Sequence, residues 1–205
     1  MYYDKQSYKT IRLGSVSTSE IELRDLLKAW AAISFAFAIL FSGGLSFGQE
    51  FAMAFIISCL TVGVGFIFHE MGHKFVAQHY GCFAEFRSDD RMLIFAILLS
   101  FLGFIIAAPG AVMISGPVGR IRNGKISAAG PAVNFALALV FLACIIILGK
   151  NMLFDYGFRI NALLGVFNLI PIGIFDGKKV LHWDKKVYAL MVVVGLSLMV
   201  LQGFV

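Results

Sequence analysis

The residues able to do chemistry are concentrated in one pentapeptide, His69-Glu70-Met71-Gly72-His73. On a helix, residues four apart lie on one face about one turn apart, so both imidazoles can reach a single metal ion. The carboxylate beside the first His can then poise a water at that ion and take its proton. Zinc suits such a set, because it can lower the pKa of that water to about 7. The plainer alternative is a pair of histidines capping a helix near a membrane surface. Glu70 stands against it, since it fills the one slot that hydrolysis requires.

The pentapeptide lies in an apolar setting. The chain is 60% hydrophobic and 14% charged, with a mean hydropathy of +0.87. Soluble domains are nearer 45–50% apolar and about 25% charged. These figures imply a multi-pass membrane protein. The first 28 residues are polar, so no cleavable signal peptide is visible. The net charge of +5 does not indicate nucleic acid. Lys and Arg fall between apolar runs, where they set topology and favour anionic headgroups. Cys59, Cys82 and Cys144 are odd in number and scattered, so neither a disulfide nor a Cys-x-x-Cys site is expected.

The elements that must hold the motif follow in order. Met1 to Gly14 is mixed polar sequence. Ser19 with Glu22 forms a capping box, and Leu23, Leu26, Leu27 and Trp30 follow at helical spacing. They predict a short amphipathic helix on the membrane with Trp30 at the interface. Residues 1–28 thus read as an N-terminal cytoplasmic or interfacial segment, and 29–205 as a membrane core. Ala29–Phe47 is a first span and Phe51–Tyr80 a second. His69 lies 18 residues beyond Phe51, or ~27 Å along a helix. Histidines in an apolar helix are costly unless they face a cavity or a ligand. Cys82–Arg91 reads as a charged loop, and Met92–Ile106 as an apolar block ended by Pro109-Gly110. Ala111–Ile114 reads as a short strand, and Ser115–Ala128 as a basic loop. Ala129–Leu148 is a further span opening at Gly130-Pro131 and holding Asn134. Tyr156–Phe175 is apolar, broken by Pro171 and holding Asn168. Asp176–Lys179 reads as a loop, and Val187–Phe204 as the last span.

The fold class expected is an all-α polytopic membrane protein. It has about five to six transmembrane helices, a re-entrant segment and a short β element near the active site. Counting Lys and Arg supports the re-entrant reading of Met92–Ile106. That reading leaves 15 of the 17 on the inner side, whereas a spanning segment leaves ten. The topology expected is therefore five full spans with the N-terminus cytoplasmic and the C-terminus outside.

Three stretches together resemble a known family: His69–His73 within an apolar helix, Gly130-Pro131-Ala132-Val133-Asn134, and Asn168-Leu169-Ile170-Pro171 leading to Phe175-Asp176-Gly177. In this order they resemble the site-2 proteases, intramembrane zinc metalloproteases, in a minimal prokaryotic form. The likeness covers roughly Phe51 to Leu181. It departs in having Phe-Asp-Gly where Leu-Asp-Gly is usual, and in the long block Met92–Ile106. The resemblance implies one Zn2+ per chain held by His69, His73 and Asp176, with Glu70 as general base. Asn134 and Asn168 would lie near the site, holding substrate backbone or a developing oxyanion. Composition and the Lys and Arg count place the protein in the cell membrane as a multi-pass protein with its site towards the cytoplasmic side. Its partners would be a transmembrane protein substrate and the bilayer.

His79 competes with Asp176 as third ligand, standing ten residues after His69 as in His-Glu-x-x-His-x-x-Gly-x-x-His proteins. Those need Gly where Val76 stands, and on a continued helix His79 would lie ~9 Å from His73. Asp176 is therefore preferred, with His79 as a solvated interfacial residue and His182 as a loop residue. A membrane zinc carrier or sensor is the rival function, but it has no need of a base at Glu70. An inert helical scaffold is a third, and the intact ligands oppose it.

Overall fold

The computed structural model describes residues 10–13, 16–45, 48–105 and 109–204. Tyr2, Tyr3, Tyr8 and the Ala107-Ala108 part of the expected break lie outside the described residues. The described chain is mostly helical, with two separate two-stranded antiparallel sheets. Strands β1 (Thr10–Leu13) and β2 (Val16–Ser19) form a hairpin, in a stretch whose sequence carries no clear strand pattern.

Ser19 caps the next helix, α1 (Glu20–Ser42), its side chain accepting from the Glu22 N–H at 3.2 Å. The reciprocal half of the capping box does not form. The Glu22 carboxylate instead accepts from Thr18 Oγ1, Lys74 Nζ and the Phe86 N–H. The expectation of an interfacial helix followed by a span at Ala29–Phe47 is corrected. One 23-residue helix runs unbroken through residues 28 and 29 and stops at Gly43, whose φ of +69° few other residues adopt. Trp30 has a partner within the protein. Its indole N–H donates to Cys59 O at 3.1 Å. That carbonyl begins a π turn, Cys59–Gly63, between α2 (Gln49–Ser58) and α3 (Val64–His79). A π turn disturbs the i→i−4 ladder, and a displaced carbonyl in a bilayer needs a partner. Trp30 supplies it.

After α3 come β3 (Phe83–Ser88), α4 (Asp90–Ser100) and β4 (Gly110–Ser115). β3 replaces most of the expected charged loop, and β4 contains the expected strand Ala111–Ile114. They pair antiparallel, with Phe83 opposite Ser115 and Ser88 opposite Gly110. The chain therefore leaves through α4 and returns to its starting point.

The register also fixes where backbone groups point. The Phe86 N–H donates to Glu22 Oε1 at 2.9 Å and the Ser88 N–H to Asp25 Oδ2 at 3.3 Å, while Ala84 O accepts from Gln78 Nε2 at 3.0 Å. All three bonds lie on the side of β3 away from β4. Residues 84, 86 and 88 thus belong to the non-hydrogen-bonded pairs of the ladder. Their partners Ile114, Val112 and Gly110 must point their own N–H and C=O groups away from β3.

The second half is helical. Helix α5 (Arg120–Leu148) begins well before the expected start at Ala129 and carries Pro131 inside it. Pro131 removes one ladder bond, to Ser127 O, and the helix survives because its first turns pack on α7 (Asp176–Trp183). Gly124 makes that contact possible, since a Cβ there would lie 2.1 Å from Trp183 Cβ. Between them runs α6 (Met152–Asn168), capped by Asn151. Helix α7 forms where a loop was expected, so His182 is helical. Asp184 then caps α8 (Lys185–Leu201).

Three helical paths, Glu20–Ser42, Gln49–His79 and Arg120–Leu148, are long and apolar enough to cross a bilayer. They mark a membrane protein. One core joins α1, α3, β3, α4 and α6 around Phe66 and Phe86; another joins α5, α6 and α8 around Phe135 and Phe158.

Candidate metal centre

His69 and His73 leave one face of α3 and meet α5 and the first residue of α7. His69 Nε2 and His73 Nε2 are 3.0 Å apart, and Asp176 Oδ2 lies 3.3 Å from the first and 3.0 Å from the second. Among the described residues, these three form the group able to hold a metal ion. Tetrahedral zinc with bonds near 2.0–2.1 Å places its donors about 3.3 Å apart, close to this triangle.

The hydrogen bonds around the rings explain why a cation belongs there. His69 Nδ1 is 2.6 Å from Asn134 Oδ1, and His73 Nδ1 is 2.7 Å from the Ile126 carbonyl. Ile126 O can only accept, so His73 Nδ1 carries a proton. Asn134 Nδ2 donates to Gly65 O at 3.1 Å, so its Oδ1 is the acceptor for His69. In the neutral rings both Nε2 atoms are then bare, and with the carboxylate they form three converging lone pairs. Only positive charge at the centre relieves that, and a metal does so with the tautomers already set. Lys179 Nζ lies 3.9 Å from the other oxygen of Asp176.

Glycines let the elements come this close. A Cβ on Gly130 would lie 2.4 Å from His73 Nε2 and 2.6 Å from His69 Nε2, so the rings rest on bare backbone. A Cβ on Gly177 would lie 2.0 Å from Leu169 O, so the turn into α7 requires Gly after Asp176.

Glu70 is buried, lines the adjoining cavity, and has the Val112 backbone of β4 within hydrogen-bonding reach. Asn134 also lines the cavity, but it is fully buried and its amide is spent on His69, Gly65 and Asn161. Asn168 lines the cavity half-buried, its Nδ2 donating to Leu164 O at 3.0 Å. His79 is exposed at the end of α3, its ring against Tyr80, and takes no part in the triangle. His182 is exposed as well, and Arg120 bonds its carbonyl.

Three participants escaped the sequence reading. The Ile126 carbonyl gives no side-chain signal. Asn161 does: it is an amide in an apolar helix. Lys74, fully buried beside His73 and paired with Glu22, is a charge in an apolar helix and was readable on the same ground.

Comparison with known proteins adds the following. The chain is 40% identical over 186 residues to a candidate zinc metalloprotease of Methanocaldococcus jannaschii, a match covering 88% of this chain and 92% of that protein. It is 29% identical over 136 residues to another protein of that organism, named a zinc metalloprotease, covering 64% of this chain and 34% of that longer protein. No family model and no solved structure matches.

Proposed function

The chain belongs to the zinc metalloprotease family of its 40%-identical archaeal relative, and we propose that it is an intramembrane endopeptidase of the site-2 type, cutting transmembrane segments of other proteins. Its cofactor is zinc. The observation that carries the reading is where the donor triangle opens. It faces a cavity of about 440 Å3 whose lining includes Phe37, Val112, Leu163 and Phe167, with the outward edge of β4 on its wall. That is an apolar chamber with a strip of backbone donors and acceptors, which suits an unwound transmembrane helix.

The residues divide the work as follows. His69, His73 and Asp176 hold the ion, which when bound supplies Lewis acidity and lowers the pKa of water. Glu70 accepts the proton of the attacking water on a carboxyl oxygen and returns it to the departing amide nitrogen, so that water and peptide become acid and amine. The N–H and C=O groups of Gly110, Val112 and Ile114 replace the internal hydrogen bonds a substrate helix loses on opening. Asn134 keeps His69 in its binding tautomer. Asn168 holds substrate backbone from the opposite wall. A zinc carrier or sensor would need neither Glu70 nor the strand edge.

The reading includes topology. α6 and α8, 17 residues each, are ~26 Å long and complete five spans. α4 belongs to the re-entrant segment, with the N-terminus and the site on the cytoplasmic side of the cell membrane. Gly124 is a poor place for a labelling probe, being packed under Trp183, so a cysteine at exposed Lys125 is used. Labelling of that cysteine only from outside overturns the orientation.

Glu70→Gln tests the function. In detergent or liposomes it retains stoichiometric zinc and loses at least about 100-fold in cleavage of a model transmembrane substrate. Undiminished cleavage, or loss of zinc in a folded sample, overturns the assignment.

A further inference from the structure

Asn161, on α6, touches neither the donor triangle nor any of its three residues, yet the hydrogen bonds run through it in one forced direction. Its Nδ2 donates to Gly157 O at 2.9 Å, one turn back on its own helix. A carbonyl can only accept, so the amide cannot flip, and Oδ1 must face the other way. There it accepts from Asn134 Nδ2 at 3.2 Å. Asn134 is thereby turned in its own right, with Nδ2 towards α6 and Gly65 O and with Oδ1 towards His69 Nδ1 at 2.6 Å. Both asparagines are fully buried, so no water competes for these positions. The site of contact is also fitted to the amide: a Cβ on Gly65 would lie 2.4 Å from Asn161 Oδ1.

We propose that Asn161 is a positioning residue for the metal centre. It is the anchor of a relay from the α6 backbone through Asn134 that fixes the proton of His69 on Nδ1 and leaves Nε2 free to bind. The reason a second amide is needed is chemical. An Asn side chain offers a donor and an acceptor of nearly equal shape, so Asn134 alone can present either end to His69. With its NH2 group turned to the ring, the His69 proton moves to Nε2, the atom that must bind metal. Gly65 O favours the right orientation by one bond, and Asn161 adds a second. The metal site on α3 and α5 thus depends on a helix that contributes no ligand. This inference rests on His69, His73 and Asp176 binding zinc.

The experiment uses the full-length purified protein, metal-free and then titrated. Asn161→Leu keeps the volume and removes the relay. Asn161→Ser, too short to reach both partners, serves as a second variant should the first not fold. Zinc affinity is measured by chelator competition, and the ligand field by the visible spectrum after cobalt substitution. The relay predicts that either variant binds zinc roughly 10–100-fold more weakly with a changed cobalt spectrum, while the metal-free protein melts within a few degrees of wild type. It also predicts that Asn161→Leu adds nothing once Asn134→Ala is present, since both break one chain. Unchanged zinc affinity and cobalt spectrum in a folded variant, or additive effects in the double variant, overturn the relay and leave Asn161 a packing residue. Failure of the wild type to bind zinc overturns the metal reading and the relay with it.

Discussion

The two edges of the β3–β4 sheet face opposite fates. Along β3, side chains from elsewhere occupy the outward groups: Glu22 takes the Phe86 N–H, Asp25 the Ser88 N–H, and Gln78 the Ala84 carbonyl. Along β4, the outward groups of Gly110, Val112 and Ile114 meet no further strand among the described residues, only Glu70 at Val112, and the edge lies on the cavity wall. An unsealed strand edge is a template for any extended peptide. A protein that receives peptide on one edge gains by closing the other, because only the open one is beside the metal. The seal is also structural, since Glu22 ties α1, α3 and β3 together through a pair with Lys74 that solvent does not reach.

The largest effect expected comes from breaking the closed edge at its centre. Glu22→Ala strands the Lys74 ammonium in the interior and frees the Phe86 N–H. Removing one partner of a buried pair costs about 3–5 kcal/mol, so thermal melting in detergent should fall steeply and little folded protein should be recovered. Adding Lys74→Met should restore much of that loss; no recovery would mean the pair matters for more than charge.

Next comes the open edge. Val112→Pro removes no ladder bond, because Val112 stands opposite Phe86 in a non-hydrogen-bonded pair, but it does remove the outward N–H, which also lies within reach of Glu70. Cleavage should drop at least about tenfold, the worth of one hydrogen bond near 1–1.5 kcal/mol to substrate or to Glu70, with zinc content and melting unchanged. Equal turnover by wild type and variant would remove β4 from substrate binding. Gln78→Ala probes the closed edge more gently. It frees Ala84 O and also breaks the bonds to Ser17 of the β1–β2 hairpin, so it should cost about 1–2 kcal/mol in stability while turnover per folded molecule stays constant. Asp25→Asn should be smallest, within about 0.5 kcal/mol, because an amide oxygen can still accept from Ser88; a larger loss of stability would show that the Asp25 charge itself seals the edge.

This asymmetry was half legible in the sequence. Ala111–Ile114 announces a strand by its residue types, and His69, Glu70 and His73 announce a helical face by their spacing, since both signals are local. β3 is not announced: Phe83–Ser88 mixes charge with aromatics and becomes a strand only when β4, the distant Glu22 and Asp25, and Gln78 complete it. Glu22 looked like the partner of Ser19 because local pairing is all a sequence displays; Lys74, 52 residues away, outcompetes it. Pro131 misled in the same way. It is a fair start signal locally, but packing of Gly124 under Trp183 extends α5 by nine residues before Ala129. Asp176 was placed by motif resemblance, and its helix was not foreseen because α7 is short and amphipathic.

The third donor also sets a clock. His73 and Asp176 stand 103 positions apart, and ribosomes add roughly 5–20 residues per second. For about 5–20 s after the second histidine is made, the growing chain owns two of the three donors and no means of adding the third. α5 and α6 must be synthesised within that interval before Asp176 can arrive. Completion of the donor triangle is therefore ordered after the synthesis of α5 and α6 by the arrangement of the chain alone.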